Sequence, residues 1–164
     1  MKTLYLVRHA KSSRDDSAVP DRQRPLETRG ERDAATMGRR LLQRHGKPDL
    51  IVSSPALRAL ATAKLLAEGL DYKLKHLVVD DRLYAAAMET LIAVIEEIDD
   101  KLESVMLVGH NPGVTDLAHY FSSDISHMPT CAVAVLAFDV KTWFAVGRGK
   151  PARVDFDAPK QSAG

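Results

Sequence analysis

Short apolar runs alternate with longer segments in which apolar residues recur at helical spacing. The short runs are rich in residues that favour strands and lie at 4–7, 50–52, 77–79 and 105–108. Segments with a helical pattern follow them at 28–44, 55–68, 89–98 and 111–121. Two later runs, 132–138 and 152–156, also have strand character. The pattern predicts six strands and four helices, with a polar loop from Ser12 to Pro25 before the first helix.

Strands that are each followed by a helix predict an α/β fold. We expect three layers, α/β/α, around a mainly parallel central sheet, with the last two strands forming an antiparallel edge. The run at 105–108 is apolar throughout, which is typical of a central strand that is buried on both faces. In the first helix, Leu41 and Leu42 are expected on the buried face. Ser54 is the expected N-cap of the second helix, with Pro55 in its first turn.

Length, charge and cysteine count narrow the class of protein. The chain has 164 residues, and we expect one domain over 1–158 with a loose tail at 159–164. Lys and Arg number 23 against 22 Asp and Glu, so the charge balance gives no basis for nucleic-acid binding. No apolar stretch has the length of a membrane span, and the single cysteine, Cys131, excludes a disulfide framework. The N-terminal apolar run is too short for a signal peptide, so we expect a cytoplasmic protein.

Basic side chains follow three of the predicted parallel strands. Arg8-His9 ends the first strand, Arg58 begins the helix after the second, and His110 ends the strand at 105–108. In parallel sheets the ligand site lies beyond the carboxyl ends of the strands, so these residues are expected to meet. Arginine presents a fork of donors that matches phosphate oxygens, and a neutral histidine can accept a phosphoryl group. The sequence therefore predicts a phosphate pocket with a histidine nucleophile.

Four blocks in this order resemble a known family. The blocks are Arg8-His9-Ala10-Lys11-Ser12-Ser13, Arg24-Pro25-Leu26 with Gly30, Ser54-Pro55-Ala56-Leu57-Arg58-Ala59 with Thr62, and Gly109-His110-Asn111-Pro112-Gly113. They resemble the histidine phosphatase superfamily, also called phosphoglycerate-mutase-like, and within it the SixA-type phosphohistidine phosphatases. The resemblance covers about residues 1–157. Ala10 stands where the superfamily usually has glycine.

The resemblance implies a role for each matching residue. His9 would be the nucleophile and the transient phosphohistidine, Arg8 and Arg58 would grip the phosphoryl oxygens, and His110 would stabilise the transition state. Ser12, Arg24 and Asn111 are further candidates for substrate binding. For these three the alternatives are a loop cap for Ser12, a role in shaping the pocket rim for Arg24, and a helix cap for Asn111. No cofactor is expected, and no metal, because the histidines form no metal-ligand spacing.

The general acid of many superfamily members has no obvious counterpart. The matching stretch is Asp81-Arg82-Leu83-Tyr84, with Tyr84 near the place of the usual glutamate. An alkoxide leaving group benefits from a positioned acid by about 10²–10⁴-fold, whereas an imidazole needs less help. The missing glutamate favours a P–N substrate. An acid from the loop is the alternative, and the loop carries Asp15, Asp16 and Asp21.

Three functions remain open from the sequence. The first is a metal-independent phosphatase that acts on phosphohistidine in a protein partner, either a phosphotransfer domain or a carrier of the sugar phosphotransferase type, and releases inorganic phosphate. The second is a phosphomonoesterase of the same superfamily that acts on a small phosphorylated substrate. The third is a non-catalytic phosphate-binding module. Neither nucleic acid nor a membrane is an expected partner.

Overall fold

A six-stranded mixed sheet forms the centre of the molecule, in a computed structural model that describes residues 1–159. The strands are β1 (Lys2–Arg8), β2 (Leu50–Ser53), β3 (Val78–Val79), β4 (Ser104–Gly109), β5 (Val133–Phe138) and β6 (Arg153–Asp157). Their order in the sheet is β3-β2-β4-β1-β5-β6. The first four strands along this order are parallel, β5 pairs antiparallel with β1, and β6 pairs antiparallel with β5. The predicted α/β class, with its antiparallel edge, is confirmed.

Helices cover both faces of the sheet. They are α1 (Thr28–His45), α2 (Leu57–Gly69), α3 (Met88–Glu96), α4 (Gly113–Phe121) and α5 (Trp143–Val146). Alternation of side chains along β1 sends Tyr5 and Val7 towards α1 and α2, and Leu4 and Leu6 towards the other three helices. The strands β4 and β5 are buried almost throughout, as the continuous apolar runs predict.

Some element boundaries differ from the predicted ones. The third strand has only two residues, and the side chains of Val78 and Val79 are exposed. The helix α2 begins at Leu57 rather than Pro55, and its N-cap residue is Ala56. The N-cap prediction for Ser54 is therefore wrong. The sheet geometry places the Ser54 hydroxyl close to a histidine from a neighbouring strand, and the hydroxyl bonds to that ring.

The segment after β5 contains a short helix that the sequence pattern did not predict. α5 spans a single turn, too short to show helical periodicity. Its Trp143 is fully buried and donates from Nε1 to the carbonyl of Leu102 at 2.9 Å, whereas Phe144 beside it is 53% exposed. Leu42 of α1 is also exposed, in contrast to the prediction, because the buried face of the helix ends at Leu41.

The loop between β1 and α1 is held at both ends. Ser12 forms an isolated antiparallel bridge with Leu26, and Asp21–Gln23 forms one turn of 3-10 helix. Residues 160–164 of the predicted loose tail lie outside the described residues. None of the helices within residues 1–159 has the combination of length and apolar character that a membrane span requires.

Candidate active site

Three neighbouring strands deliver the basic side chains to one edge of the sheet. β2, β4 and β1 are adjacent, and their register pairs Ser53 with Val108 and Arg8 with Gly109. The pairing continues past the strand ends, since the amide of His9 donates to the carbonyl of Gly109 at 3.0 Å. The segments that carry Arg8-His9, Arg58 and His110 therefore meet, as the sequence predicts for the carboxyl edge of a parallel sheet.

His9 is a buried and neutral imidazole with a defined tautomer. Its Nδ1 lies 2.8 Å from the carbonyl oxygen of Ala10. A carbonyl only accepts, so the Nδ1 atom carries the proton and the Nε2 atom keeps its lone pair. Burial lowers the pKa of His9 to about 3, more than the Ala10 bond raises it, and the neighbouring His110, Arg58 and Arg8 lower it further. The Nε2 atom of His9 is therefore available as a nucleophile at neutral pH.

His110 stands beside His9, with 5.2 Å between the ring centroids. Its Nε2 lies 2.7 Å from the hydroxyl oxygen of Ser54. Burial, followed by the charge of Arg58, lowers the pKa of His110 to about 4. Its Nδ1 atom is buried without a hydrogen-bond partner among the described residues.

The two arginines flank the histidine pair. Arg8 donates from Nη1 to the carbonyl of Met128 at 3.2 Å, and burial lowers its pKa. Arg58, in the first turn of α2, is 6% exposed and donates to Asp21 through both Nη atoms, at 2.7 Å to the carbonyl and 3.0 Å to Oδ2. The Nε atoms of both arginines are buried without a partner in the part of the chain that the structure describes. Buried unpaired donors are rare in proteins, and these two belong to residues that suit an anion.

A threonine of α2 couples the nucleophile to Arg58. The amide of Ala10 donates to Oγ1 of Thr62 at 2.9 Å, and the same hydroxyl donates to the carbonyl of Arg58 at 2.7 Å. This pair of bonds fixes the chain after His9 against the first turn of α2. The relative position of the nucleophile and of the cation beside it is thereby set by buried hydrogen bonds.

The three secondary candidates lie around this centre. Arg24 donates from Nη1 to the hydroxyl of Ser12 at 3.1 Å, and from Nε to Oδ1 of Asp21 at 3.1 Å. Both Ser12 and Arg24 thus hold the loop beside the site. Asn111 accepts at Oδ1 from the amide of Thr115 in the first turn of α4, and its Nδ2 donates to the Met128 carbonyl that Arg8 also contacts. The side chain of Asn111 therefore bonds to the first turn of α4, whose N-cap residue is Pro112.

Two cavities border the basic cluster. One of about 360 Å³ includes Arg8, Lys11, Arg29 and His127 in its lining. The other, of about 420 Å³, includes Arg58 and the loop residues Arg14, Asp16, Asp21 and Arg24 in its lining. Within residues 1–159, no group of three or more histidine, cysteine or carboxylate side chains is arranged to hold a metal ion.

Comparison with known proteins identifies the family. The model of the histidine phosphatase superfamily, branch 1, matches residues 4–90, which is more than half of the chain. The chain belongs to this superfamily. An uncharacterised protein of Mycobacterium tuberculosis is 33% identical over 94% of this chain and 100% of its own length. A chloroplastic protein of Arabidopsis thaliana, also uncharacterised, is 31% identical over 87% of this chain and 69% of its own length.

Solved structures agree with this assignment. The crystal structure of an Agrobacterium tumefaciens protein, provisionally named phosphohistidine phosphatase SixA, has a TM-score of 0.79 and 28% identity, and the match covers 96% of this chain and 98% of that one. The protein histidine phosphatase SixA complexed with tungstate has the same fold, with a TM-score of 0.78 at 21% identity over 98% of this chain and 99% of that one. The predicted resemblance to the SixA-type histidine phosphatases is confirmed.

Two positions distinguish this chain from the usual pattern of the superfamily. The methyl group of Ala10, where glycine is usual, is fully buried in the apolar cluster between the sheet and α1 and α2. Tyr84, near the place where many members have a glutamate, donates its hydroxyl to Oδ2 of Asp21, and its ring lies edge-on to His110 with 5.6 Å between the ring centroids.

Four contacts of the site were not predicted from the sequence. They involve the side chains of Ser54, Thr62, Tyr84 and Asp21. Ser54 and Thr62 belong to the sequence block that contains Arg58. Ser54 directly follows β2 and His110 directly follows β4, so both lie at the same edge of the sheet. Asp21 is one of three aspartates in the loop, and nothing in their sequence spacing shows which of them contacts Arg58.

Proposed function

We propose that this protein is a metal-independent phosphatase that removes phosphate from phosphohistidine in a protein partner. His9 would accept the phosphoryl group on Nε2, and water would then release it as inorganic phosphate. A phosphotransfer domain or a phosphocarrier protein is the proposed partner. A cytoplasmic location is part of the same proposal and rests on the sequence alone.

The state of His9 is the observation that carries this proposal. Its proton is held on Nδ1 by the Ala10 carbonyl, and its low pKa keeps Nε2 unprotonated. The buried Nε donors of Arg8 and Arg58 provide fixed positive charge for the phosphoryl oxygens. Phosphoryl transfer depends mainly on positioning and charge stabilisation, and these residues supply both.

Two further features support phosphohistidine as the substrate. A phenol, Tyr84, stands beside His110 where an acid would help an alkoxide to leave, and an imidazole leaving group needs less of that help. The Agrobacterium protein that matches nearly the whole chain carries the name of a phosphohistidine phosphatase.

The proposal is tested by measuring phosphate release, without added metal, from a histidine-phosphorylated protein and from p-nitrophenyl phosphate. We expect faster release from the phosphohistidine protein and no release by a His9→Ala variant. His76→Ala is the matched control, because His76 is exposed and lies outside the site. Retained activity in His9→Ala would show that His9 is not the nucleophile.

Phosphate release from a small ester is a second candidate activity. The Asp21 carboxylate lies next to Arg58 and Tyr84, so the site does contain a carboxyl group. Turnover of p-nitrophenyl phosphate and of an alkyl phosphate well above that of the phosphohistidine protein would support a small-molecule phosphomonoesterase. Tight phosphate binding with no release from any substrate would support a binding module.

A further inference from the structure

Asp21 brings a carboxylate from the loop into contact with the basic cluster, at Arg58. Its Oδ2 accepts from Nη2 of Arg58 at 3.0 Å and from the hydroxyl of Tyr84, and its Oδ1 accepts from Nε of Arg24 at 3.1 Å. Its backbone carbonyl accepts a second bond from Arg58, at 2.7 Å. Four hydrogen bonds from three side chains hold this one residue of a largely exposed loop.

The Asp21 carboxylate keeps capacity for one more hydrogen bond. A carboxylate has about four lone-pair positions, and the three side-chain donors occupy three of them, so one on Oδ1 remains. The side chain is still 53% exposed. A water molecule can therefore reach the carboxylate, and a proton taken up there can pass to solvent.

The other nearby carboxylates do not share the contacts of Asp21 with Arg58 and Tyr84. Asp15 and Asp16 are exposed, and the carboxylate of Asp16 accepts from the amide of Ala18 in its own turn. Asp80 is paired with Arg82 on the outer surface. Among the described residues, Asp21 is the carboxylate that contacts both a catalytic arginine candidate and the phenol beside His110.

Tyr84 is itself held firmly in place. Its ring lies edge-on to His110 at 5.6 Å, and the Arg22 guanidinium stacks over it at 4.3 Å. The next residue, Ala85, has a φ of 51°, a left-handed conformation that alanine rarely adopts. A strained backbone at this point indicates that the surrounding contacts fix the position of the phenol, and with it the carboxylate to which the phenol donates.

We infer that Asp21 is the general base for hydrolysis of the phosphorylated enzyme, and that Tyr84 positions it. This inference rests on the proposed function, since it concerns the second step of that reaction. The oxygen of water forms a bond to phosphorus as the bond from phosphorus to Nε2 of His9 breaks. One proton of the water goes to the Asp21 carboxylate, and the electron pair of the broken bond returns to Nε2. His9 leaves as a neutral imidazole because Nδ1 already carries its proton.

The donors and charges around Asp21 set its protonation state and its basicity. The hydrogen bond from Tyr84, together with Arg58 and Arg24, holds the pKa of Asp21 far below its usual value, so the residue is a carboxylate in the free enzyme. A phosphoryl group bound at Arg58 places a second anion on the same guanidinium, and like charges that share a site raise each other's pKa. Asp21 therefore becomes more basic when the phosphorylated intermediate is present.

Asp21→Asn tests the inference on p-nitrophenyl phosphate. The nitrophenolate leaves without a proton, so the first step does not need Asp21. We expect a burst of about one equivalent of nitrophenol, then steady turnover lower than wild type by about 10²-fold, the usual contribution of a general base. Labelled phosphate should accumulate on His9, stable to alkali and labile to acid. Tyr84→Phe should give a smaller loss with the same accumulation.

Asp15→Asn is the matched control, since it removes the same charge from the same loop without touching the site. It should turn over as wild type does. Asp21→Asn turnover at the wild-type rate, or a loss without phospho-His9, would overturn the role of Asp21, while wild-type phosphate release from a histidine-phosphorylated protein upholds the proposed function. A wild-type protein that hydrolyses neither the ester nor a histidine-phosphorylated protein would overturn both. Thermal unfolding of each variant separates a folding defect from a kinetic one.

Discussion

At the scale of single residues, the site depends on two imidazoles that folding keeps neutral. His9 and His110 are each 7% exposed, and their pKa values in the folded protein are about 3 and about 4. An exposed histidine has a pKa near 6.5. The same burial that frees Nε2 of His9 for attack therefore makes folding sensitive to acid.

Folding stability should fall as the pH drops below 6.5. The unfolded chain binds protons at both histidines as the pH passes through 6.5, whereas the folded protein does not until about pH 4, so acid favours the unfolded state. Each histidine should lower the free energy of unfolding by about 1.4 kcal/mol per pH unit in that window.

Urea unfolding of wild type and His9→Asn between pH 7 and pH 4 measures this effect. The asparagine keeps a donor for the Ala10 carbonyl and removes one titrating group, so the dependence on pH should become shallower. His76→Gln, at an exposed site, should leave it unchanged. If the free energy of unfolding depended on pH equally in wild type and in His9→Asn, the low pKa of His9 would be contradicted.

At the scale of elements, the close packing of α4 against the segment between Tyr84 and α3 determines how far Tyr84 lies from His110. Gly113, the first residue of α4, packs so closely that an added Cβ would lie 2.1 Å from the carbonyl oxygen of Ala86. The backbone of Ala86 cannot move aside as easily as the end of a flexible side chain can. The glycine therefore sets the distance between the helix that follows His110 and the segment that carries Tyr84.

Gly113→Ala should destabilise the protein by about 1–3 kcal/mol, the usual effect of overpacking, and should also reduce kcat by displacing Tyr84 from His110. Gly147→Ala is the matched control, because the atoms nearest to its added Cβ belong to the flexible side chain of Glu96. Chemical unfolding and steady-state kinetics measure both effects. Equal stability of the two variants would show that α4 and the loop move apart at little cost.

Elements and site contacts that follow from periodicity or from strand ends could be predicted, and those that depend on a single turn or on an irregular loop could not. Periodicity predicted the helices α1 to α4, because each has enough turns to show an apolar face, and it missed the single turn of α5. Strand ends predicted that Arg8, His9, Arg58 and His110 meet. The contacts of Asp21 with Arg58 and Tyr84 span 37 and 63 residues and depend on the path of an irregular loop, for which sequence spacing gives no rule.

At the scale of the whole molecule, an anion at the site should stabilise the fold. A ligand that binds only the folded state adds RT ln(1 + [L]/Kd) to the free energy of unfolding, about 2.7 kcal/mol at one hundred times Kd. Inorganic phosphate should therefore raise Tm relative to chloride at equal ionic strength. The rise should disappear in Arg58→Ala and persist in Arg82→Ala, which removes an exposed arginine paired with Asp80 and Glu97. An equal rise of Tm in Arg58→Ala and Arg82→Ala would show that phosphate binds at a site that does not include Arg58.

The buried indole of α5 gives the molecule an optical reporter of its own. Trp143 is the only tryptophan in the chain, and its ring lies under the ammonium group of Lys2, at the amino end of β1. His9 follows the opposite end of that strand. Fluorescence emission should therefore be blue-shifted in the folded protein and move to the red on unfolding, while chemistry at the far edge of the sheet leaves the spectrum unchanged. Unfolding and catalysis can thus be followed as separate signals in one unlabelled sample.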